Sequence, residues 1–492
     1  MDSPKKFNDA EADEPFLSNW QSGPGDESNM ETMEIESGSF DDFDQYNVEY
    51  KGEVLYIESK DWRKSNSLKF QIVVVLCLFT LFGLGDQAVG ALIPIFQKHY
   101  HVSDLQASFL FLSAITGYIL MGLLNGIIHE KIGLRGILII GTVSLCTGFG
   151  VFSTAPPFWV MVVFASFTGT GCGVLDAACN SWVGGLIDSN QILGILHGCY
   201  GLGCLISPSL ISNLLERKIN PWKWNQYYRL LFWLALVMFG VSSFVFRRET
   251  AKKYSYVFDL KVGKIGKDGY ELSSANDELE EDDLDKFQNA SLGDSLKSKL
   301  VWTFSLFLFL YVGGEVAFGS WLISYLLRVT KVSYKMSSHI ATSFWTGLMV
   351  GRTVLGFATA YYFNTELTAN LTYAVGSVMG FIVFYAISFT TWHWLFFVIA
   401  FVTGVCVGPI FPTTIVSAIG ILPTKYHTSG VGFICAFGGG GAAVVPFLVG
   451  LVANSSKTGL KLFPLIILLD FLFLGTWWLL ITKKFLPTYV RP

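Results

Sequence analysis

The chain has 492 residues, of which 52% are hydrophobic and only 15% charged, and its mean hydropathy is +0.48. A soluble domain could not bury that much apolar surface, so the composition predicts a protein whose helices lie in a lipid bilayer. The net charge of −4, with no basic cluster in the sequence, excludes a nucleic-acid partner.

Residues 1–66 form an acidic and polar tail. Between residues 1 and 58 there are sixteen Asp and Glu against three Lys and Arg. A segment of this composition has too little apolar surface to build a core. We therefore expect the tail to be disordered and to lie in the cytoplasm.

Twelve apolar segments follow the tail, each close to the ~20 residues that a membrane-spanning helix needs. They lie at 70–96, 105–128, 136–153, 158–186, 191–215, 227–246, 300–327, 337–359, 369–388, 392–416, 428–452 and 462–481. The pattern predicts an all-α polytopic membrane protein of twelve transmembrane helices, six on each side of a long polar break. The predicted divisions after the tail are an N-terminal six-helix bundle (67–246), an acidic cytoplasmic linker (247–299), a C-terminal six-helix bundle (300–482) and a short cytoplasmic tail (483–492).

The distribution of positive charge predicts the orientation. Lys and Arg near the predicted helix ends number sixteen on one side and ten on the other. Because loops rich in Lys and Arg stay in the cytoplasm, both termini and the linker are expected there. The sequence leaves open whether the membrane is the plasma membrane or the vacuolar membrane.

The two halves of the chain resemble each other. Predicted helix one carries Gly85-Asp86-x-Ala88-x-Gly90, and predicted helix seven carries Gly314-Glu315-x-Ala317-x-Gly319, 229 residues later. A second match, Gly-x-Gly-x4-Pro, starts at Gly201 in helix five and at Gly439 in helix eleven, with an offset of 238. Parallel repeats of six helices predict two pseudo-symmetric bundles around a central pathway.

The loop after predicted helix two reads GIIHEKIGLR at residues 126–135. It resembles the signature loop of the major facilitator superfamily, with a glutamate where an aspartate is usual; an ordinary charged hairpin is the alternative. The resemblance implies a tight turn whose acid binds basic groups or helix N-termini across the bundle. The candidate gating residues are Gly126, Glu130, Lys131, Gly133 and Arg135.

Five further segments narrow this resemblance. They are Gly171–Asn180, Leu193–Gly203, Tyr311–Trp321, Phe344–Arg352 and Gly408–Thr413. Taken in this order they are similar to the fucose permease-like branch, the fucose–galactose–proton symporters, and among its members to fungal ones that include bypass-of-stop-codon proteins. The resemblance covers residues 70–481 and implies the major facilitator fold, with a hexose or related sugar and protons as the transported partners.

That family uses an acid and an Asn four residues later on helix four. Asp176 and Asn180 match this pair, with Asp in place of the more usual Glu, and their spacing puts both on one face of a helix. Bacterial fucose permease also has an Asp on helix one, four residues before a Pro. The corresponding position here is Gly90, and Asp86 lies one turn earlier on the same face.

Four carboxylates lie within apolar segments: Asp86, Asp176, Glu315 and Asp470. Arg352 is expected near a helix end, so no base is expected at their depth. Unpaired carboxylates in lipid are costly and must face water, take up a proton or bind a cation. We expect Asp86, Asp176 and Glu315 to couple protons, with a polar contact between helices as the alternative for each. For Asp470 the structural contact is the expected role.

The candidates for binding a polar solute are Asn180, Trp321, Tyr200, His197 and Gln87. Ring faces and hydrogen bonds suit such a ligand, although packing is the alternative for each aromatic ring. His197 could instead relay protons.

All eight cysteines lie in apolar segments, and no metal ligand cluster, cofactor motif or catalytic motif is present, so neither a metal, a cofactor nor an enzymatic activity is expected.

The sequence therefore predicts a monomeric secondary active transporter that moves a small polar solute by alternating access, coupled to protons. A facilitative uniporter and a nutrient sensor that does not transport are the alternatives. The identity of the solute stays open at this point.

Overall fold

The computed structural model describes residues 46–261, 292–423, 426, 429–456 and 458–489. Most of the predicted acidic tail, the acidic centre of the linker and the last three residues of the chain lie outside the described part. The helices of the N-terminal half are α1 (Asn66–Tyr100), α2 (Asp104–Ser153), α3 (Phe158–Gly184), α4 (Ser189–Leu215), α5 (Trp224–Val245) and α6 (Ala251–Lys261). After a helical turn at Leu292–Ser295, the C-terminal half has α7 (Lys299–Arg328), α8 (Tyr334–Tyr362), α9 (Glu366–Ile387), α10 (Leu395–Val407), α11 (Ile410–Ile421), α12 (Ser429–Ser455) and α13 (Phe463–Phe485).

These helices confirm the predicted fold class. The 50-residue α2 contains two spanning segments, because Gly133 interrupts it with φ 70° and ψ 176°. α10 and α11 together form one span, Leu395–Ile421. By length and hydropathy, eleven spans are recognised in the described part of the chain. The twelfth is α8, whose 29 residues include many buried or hydrogen-bonded polar side chains and are therefore less apolar.

Hydroxyl side chains begin several of the spans. Ser65, Ser103, Ser298, Ser333 and Thr365 each accept a hydrogen bond from the main-chain N–H three residues later. At Ser103 the bond is reciprocal, since Gln106 also accepts from the Ser103 N–H at 2.8 Å. Such caps satisfy amide groups that a helix leaves without internal partners.

Glycines bring equivalent helices of the two halves into the same close contact. A Cβ atom at Gly203 of α4 would lie 2.2 Å from the carbonyl oxygen of Thr80 on α1. A Cβ atom at Gly441 of α12 would lie 1.8 Å from the carbonyl oxygen of Phe309 on α7. These two contacts correspond under the offsets of the sequence repeat, so each half places its fifth helix directly against the backbone of its first. Only glycine permits backbones to approach this closely.

Part of the stretch predicted to be disordered is structured. Strands β1 (Tyr46–Tyr50) and β2 (Glu53–Ile57) pair antiparallel through a two-residue turn. Lys51 and Gly52 both have positive φ, 47° and 76°, as the turn requires. The prediction from acidic composition was wrong here, because the alternating apolar residues of this short segment pack against a helix that lies about 200 residues later in the chain.

That partner is α6. Val48, Tyr50, Leu55 and Ile57 of the hairpin form a small core with Tyr256. At its edge, the Tyr50 hydroxyl donates to Asp259 at 2.5 Å, and Lys252 pairs with Glu53 at 2.7 Å. Burial is the main cause that raises the pKa of Tyr50, and the hydrogen bond to Asp259 raises it further. The hydroxyl therefore remains a donor.

The hairpin and α6 also reach the rest of the N-terminal half. The Arg135 N–H donates to the Glu249 carbonyl at 3.0 Å, and the ring of Tyr254 stacks on His129 at 4.3 Å. In the segment between the hairpin and α1, Arg63 pairs with Asp188 of the α3–α4 connection at 2.6 Å. The hairpin, α6, the bend of α2 at Gly133 and the α3–α4 connection therefore form one packed assembly, which we call the hairpin end of the molecule.

We expect Leu55→Ala to loosen this assembly, whereas Val54→Ala leaves it intact. Leu55 is 6% exposed and Val54, its neighbour in the same strand, is 72% exposed. Truncating a buried Leu costs on the order of 2 kcal/mol, which corresponds to an about 30-fold larger population of the locally opened state. Hydrogen–deuterium exchange measured by mass spectrometry should show faster exchange in residues 46–57 and 251–261 for the first variant only. Equal exchange in both variants would contradict the packing of the hairpin on α6.

Candidate functional site

Asp176 on α3 is held by neutral hydrogen-bond donors. The hydroxyl of Tyr118, on α2, donates to Asp176 Oδ2 at 2.5 Å. The side-chain amide of Asn180 donates to Oδ1 at 2.8 Å and to the Asp176 carbonyl at 2.9 Å. The predicted pairing of Asp176 and Asn180 on one face is therefore present in the structure, and Tyr118 is a partner that sequence reasoning missed.

Asn180 has one unused acceptor. Its Oδ1 atom is buried and forms no hydrogen bond with any described residue. Buried amide oxygens normally have a partner. The Oδ1 atom is thus available to a water molecule or a hydroxyl-bearing ligand beside Asp176.

Asp86 on α1 has a similar environment. The hydroxyl of Tyr200, on α4, donates to Asp86 Oδ2 at 2.8 Å. Next to it, the side chain of Gln87 is 1% exposed, and its Nε2 atom has no partner among the described residues. Two of the predicted acids are therefore each bound by a tyrosine hydroxyl from a neighbouring helix, not by a cation.

Glu315 on α7 differs from both, and here the expectation that no base lies at this depth was wrong. Arg352 of α8 donates through Nη2 to both carboxylate oxygens of Glu315, at 2.9 and 3.2 Å. The side chain of Glu315 is 5% exposed and that of Arg352 is 11% exposed. Sequence reasoning placed Arg352 near the end of the helix predicted at 337–359. The helix runs on to Tyr362, and Arg352 lies well inside it.

Further contacts fix this ion pair in the C-terminal half. Arg352 Nε donates to the Gly408 carbonyl at 3.1 Å, and Nη2 also lies 3.4 Å from the Tyr311 hydroxyl. Tyr311 in turn donates to the Val407 carbonyl at 2.9 Å. This buried ion pair and its further hydrogen bonds hold α7, α8 and the end of α10 together at one point.

Asp470 on α13 lies against α7, where a polar contact between helices was expected. A Cβ atom at Gly314 would be 2.2 Å from Asp470 Oδ2. That oxygen is buried without a hydrogen-bond partner among the described side chains and backbone groups. The contact is therefore a close approach of a side chain to a glycine, not a polar bond between helices.

The remaining solute-binding candidates are not all brought together. Trp321 is fully buried, and its indole N–H donates to the Pro446 carbonyl at 2.9 Å, so in this conformation it packs inside the C-terminal half. His197 of α4 lies between the rings of Phe79 on α1 and Phe411 on α11, with ring centroids 5.9 and 6.1 Å away. His197 thus faces the boundary between the halves, whereas Trp321 does not reach Asp86 or Asp176.

The predicted signature loop is held mainly by its backbone. Glu130, Lys131 and Arg135 are exposed. A Cβ atom at Gly133 would lie 2.4 Å from the carbonyl carbon of Thr250, just before α6. The loop therefore packs on α6 through a glycine with positive φ, a conformation in which any side chain would also collide.

A group of contacts between the halves lies at the end opposite the hairpin, which we call the Asp104 end. Asp104, at the start of α2, forms an ion pair with Arg328 at the end of α7 and accepts from Gln97 at 2.6 Å. The Tyr334 hydroxyl donates to the Ala91 carbonyl at 2.9 Å, and Ser209 Oγ lies 2.7 Å from His339 Nδ1. The contacts of Arg328, Tyr334 and His339 link the two halves at the Asp104 end. No motif predicts them, because their members are isolated groups on different helices.

Comparison with known proteins agrees with this architecture. Residues 75–364 match the family model of the Major Facilitator Superfamily. The chain is 32% identical to Bypass of stop codon protein 6 of Saccharomyces cerevisiae over 434 residues, 85% of this chain and 84% of the relative. It is 24% identical to the glucose/mannose transporter GlcP of Bacillus subtilis, over 76% of this chain and 86% of that protein.

Among solved structures, the chain is similar to a bacterial homolog of the human lysosomal transporter Spinster in an inward-facing, unoccupied conformation. The TM-score is 0.64, with 12% sequence identity over 87% of this chain and 100% of the other. At this identity the likeness concerns the fold alone.

We expect single substitutions in the buried ion pair to be more harmful than removal of both charges. Glu315→Gln leaves the Arg352 guanidinium buried without a counter-charge, and breaking such a pair costs about 3–5 kcal/mol. The variant Glu315→Gln/Arg352→Gln carries no unpaired charge and should melt at a higher temperature than either single variant. Thermal unfolding in detergent checks the order. A double variant that melts below both single variants would show that the charges do not act as a pair.

Proposed function

Because the chain belongs to the major facilitator superfamily, in its fucose permease-like branch, we propose that this membrane transporter moves a hexose or related sugar by alternating access, coupled to protons. The observation that carries the proton coupling is the setting of Asp86 and Asp176. Each accepts from a tyrosine hydroxyl and has no ion-pair partner among the described residues. Either carboxyl can therefore gain a proton without stranding a buried positive charge.

Asp176 is the better placed of the two. When it is ionised, both of its oxygens accept hydrogen bonds, one from Tyr118 and one from Asn180. When it takes up a proton, this arrangement must change, because a protonated carboxyl donates through one oxygen. Asn180 is the member of the group with a spare acceptor, so a change at Asp176 alters the binding capacity of Asn180 for a solute hydroxyl.

Glu315, predicted as a third proton-coupling residue, is given a different role in this proposal. Its negative charge is matched by Arg352 at 2.9 Å. Protonation of Glu315 would leave that arginine uncompensated in a buried site, which is strongly unfavourable. We assign the pair to the permanent framework of the C-terminal half, beside the pathway.

A hexose fits the polar groups of the N-terminal half. Its hydroxyls both donate and accept, so they can bind the Asn180 Oδ1 acceptor beside Asp176 and the Gln87 Nε2 donor beside Asp86. The glucose/mannose transporter of Bacillus subtilis is a relative of this chain. This relative makes glucose and mannose the sugars for a first test. The unpartnered polar atoms of Asn180 and Gln87 are the reason that a sugar would bind.

In the proposed orientation the hairpin end faces the cytoplasm and the Asp104 end faces outward, as the Lys and Arg distribution predicts. The conformation is then closed to the outside by the Asp104–Arg328 ion pair and its neighbours. The two halves rock about the central site, and this ion pair must break for the solute to enter from outside.

We expect Asp176→Asn to separate exchange from accumulation. The amide mimics a permanently protonated carboxyl of the same size, so the variant should still exchange radiolabelled D-glucose across proteoliposome membranes. It should lose uphill accumulation driven by a pH gradient, since no proton can be released. Asp470→Asn is the matched control, because it removes another intramembrane carboxyl and should leave accumulation unchanged.

Other outcomes favour the alternatives. Intact accumulation in Asp176→Asn would exclude this residue as the proton carrier. Equilibration without accumulation in the unaltered protein would indicate a uniporter. Binding of the sugar without any flux would indicate a sensor.

We expect Arg328→Gln to shift the equilibrium toward opening of the Asp104 end. The arginine side chain is 41% exposed, so solvent weakens the pair, and we expect a shift of about 1 kcal/mol, roughly fivefold in population. Spin labels at the exposed positions Ile219 and Leu462 report the distance between the two halves at this end, measured by double electron–electron resonance. In Arg328→Gln, a larger fraction of molecules should show the longer distance between the labels. Lys331→Gln removes a nearby exposed charge and serves as the control. An unchanged distance distribution in Arg328→Gln would remove the ion pair from the gate.

A further inference from the structure

The phenol of Tyr118 lies between the candidate proton site and the opposite half of the protein. We propose that Tyr118 is a positioning residue that links the protonation of Asp176 to the packing of α2 against α12, an inference that rests on the proposed function. Tyr118 belongs to α2 in the N-terminal half, and Gly439 belongs to α12 in the C-terminal half. The same hydroxyl that donates to Asp176 at 2.5 Å is the nearest atom to the space above Gly439.

The space at Gly439 is tight around the hydroxyl itself. A Cβ atom there would lie 2.7 Å from Tyr118 Oη and 3.1 and 3.2 Å from the adjoining ring carbons. The following residue, Gly440, is different, because its Cβ would meet only ordinary contacts at 3.6 Å or more. The glycine at 439 therefore leaves room for the tyrosine hydroxyl at the boundary of the halves.

In the repeat, the equivalent contact is made without a hydroxyl. Gly439 corresponds to Gly201 under the 238-residue offset, and Gly201 likewise faces a helix of the opposite half. There its Cβ would meet Met349 Cβ and Cγ at 3.6 and 3.7 Å. An apolar side chain thus fills the equivalent contact. The hydroxyl at Tyr118 is an addition found at the contact that touches an acid.

The position of the single O–H hydrogen of Tyr118 depends on whether Asp176 is protonated. Tyr118 has one O–H hydrogen, and with an ionised Asp176 it is used in the bond to Oδ2. If Oδ2 takes up a proton from water, that oxygen becomes a donor, and Tyr118 must accept and turn its own hydrogen elsewhere. The turn occurs beside Gly439, where α12 touches the ring. Protonation of Asp176 thereby changes the hydrogen bonding of Tyr118 at the contact between the halves.

The test uses proteoliposomes with radiolabelled D-glucose, measuring exchange and pH-driven accumulation as functions of pH. Tyr118→Phe keeps the ring and removes the hydroxyl. Losing a donor to the ionised carboxylate should move the midpoint of the pH profile by about one pH unit toward higher pH, with exchange at its optimum retained. Gly439→Ala should shift the midpoint in the same direction, because the added methyl group displaces the hydroxyl from Asp176.

The double variant Tyr118→Phe/Gly439→Ala should show no larger shift than Tyr118→Phe alone, since the hydroxyl that the methyl group displaces is already gone. Gly440→Ala is the control in the same helix and should keep the original profile. If Gly439→Ala does not fold, Tyr118→Phe against Gly440→Ala still decides the question.

An unshifted midpoint in Tyr118→Phe, in a protein that accumulates the sugar normally, overturns this inference and leaves the proposed function standing. Shifts that add in the double variant also overturn it, because they show that Gly439 and Tyr118 act separately. Failure of the unaltered protein to accumulate D-glucose under a pH gradient while exchanging it overturns the proposed coupling itself.

Discussion

Asp86, Asp176 and Glu315 are carboxylates buried among apolar helices, and the protein stabilises them in two different ways. In the N-terminal half, Asp86 and Asp176 each receive a hydroxyl from a tyrosine on a neighbouring helix. In the C-terminal half, Glu315 receives a guanidinium. A hydroxyl stabilises a carboxylate without carrying charge, so the first arrangement tolerates a change of protonation and the second does not.

The scaffold that holds these groups is symmetric, whereas the chemistry is not. Gly203 and Gly441 bring the fifth helix of each half against the carbonyl groups of the first in the same manner. At the equivalent contacts between the halves, one side has Tyr118 and the other Met349. Duplicated backbone packing thus gives the halves the same helix arrangement, while the carboxylates that accept from tyrosine hydroxyls lie in the N-terminal half. This division suits alternating access, in which two rigid bundles rock around a fixed site.

The hairpin end adds a feature that the twelve-helix scaffold does not require. Its strands bury a small core against α6, and α6 in turn receives the bend at Gly133. The signature loop is therefore fixed by backbone contacts within the N-terminal half, with its charged side chains free to face other groups. The Asp104 end uses the opposite solution, an ion pair and hydrogen bonds between the halves, which can break and re-form.

The sequence by itself determined what depends on neighbours along the chain. Hydropathy placed the spanning segments, since each must cover the bilayer, and the four-residue spacing put Asp176 and Asn180 on one face. The glycine repeats indicated two similar halves. Tertiary structure alone decided which distant residues meet. Tyr118 reaches Asp176 across 58 positions, and Arg328 reaches Asp104 across 224. The pairing of Arg352 with Glu315 and the order in residues 46–57 were misjudged for the same reason. A side chain's partner on another helix depends on how the helices are rotated and placed, and no local periodicity records that.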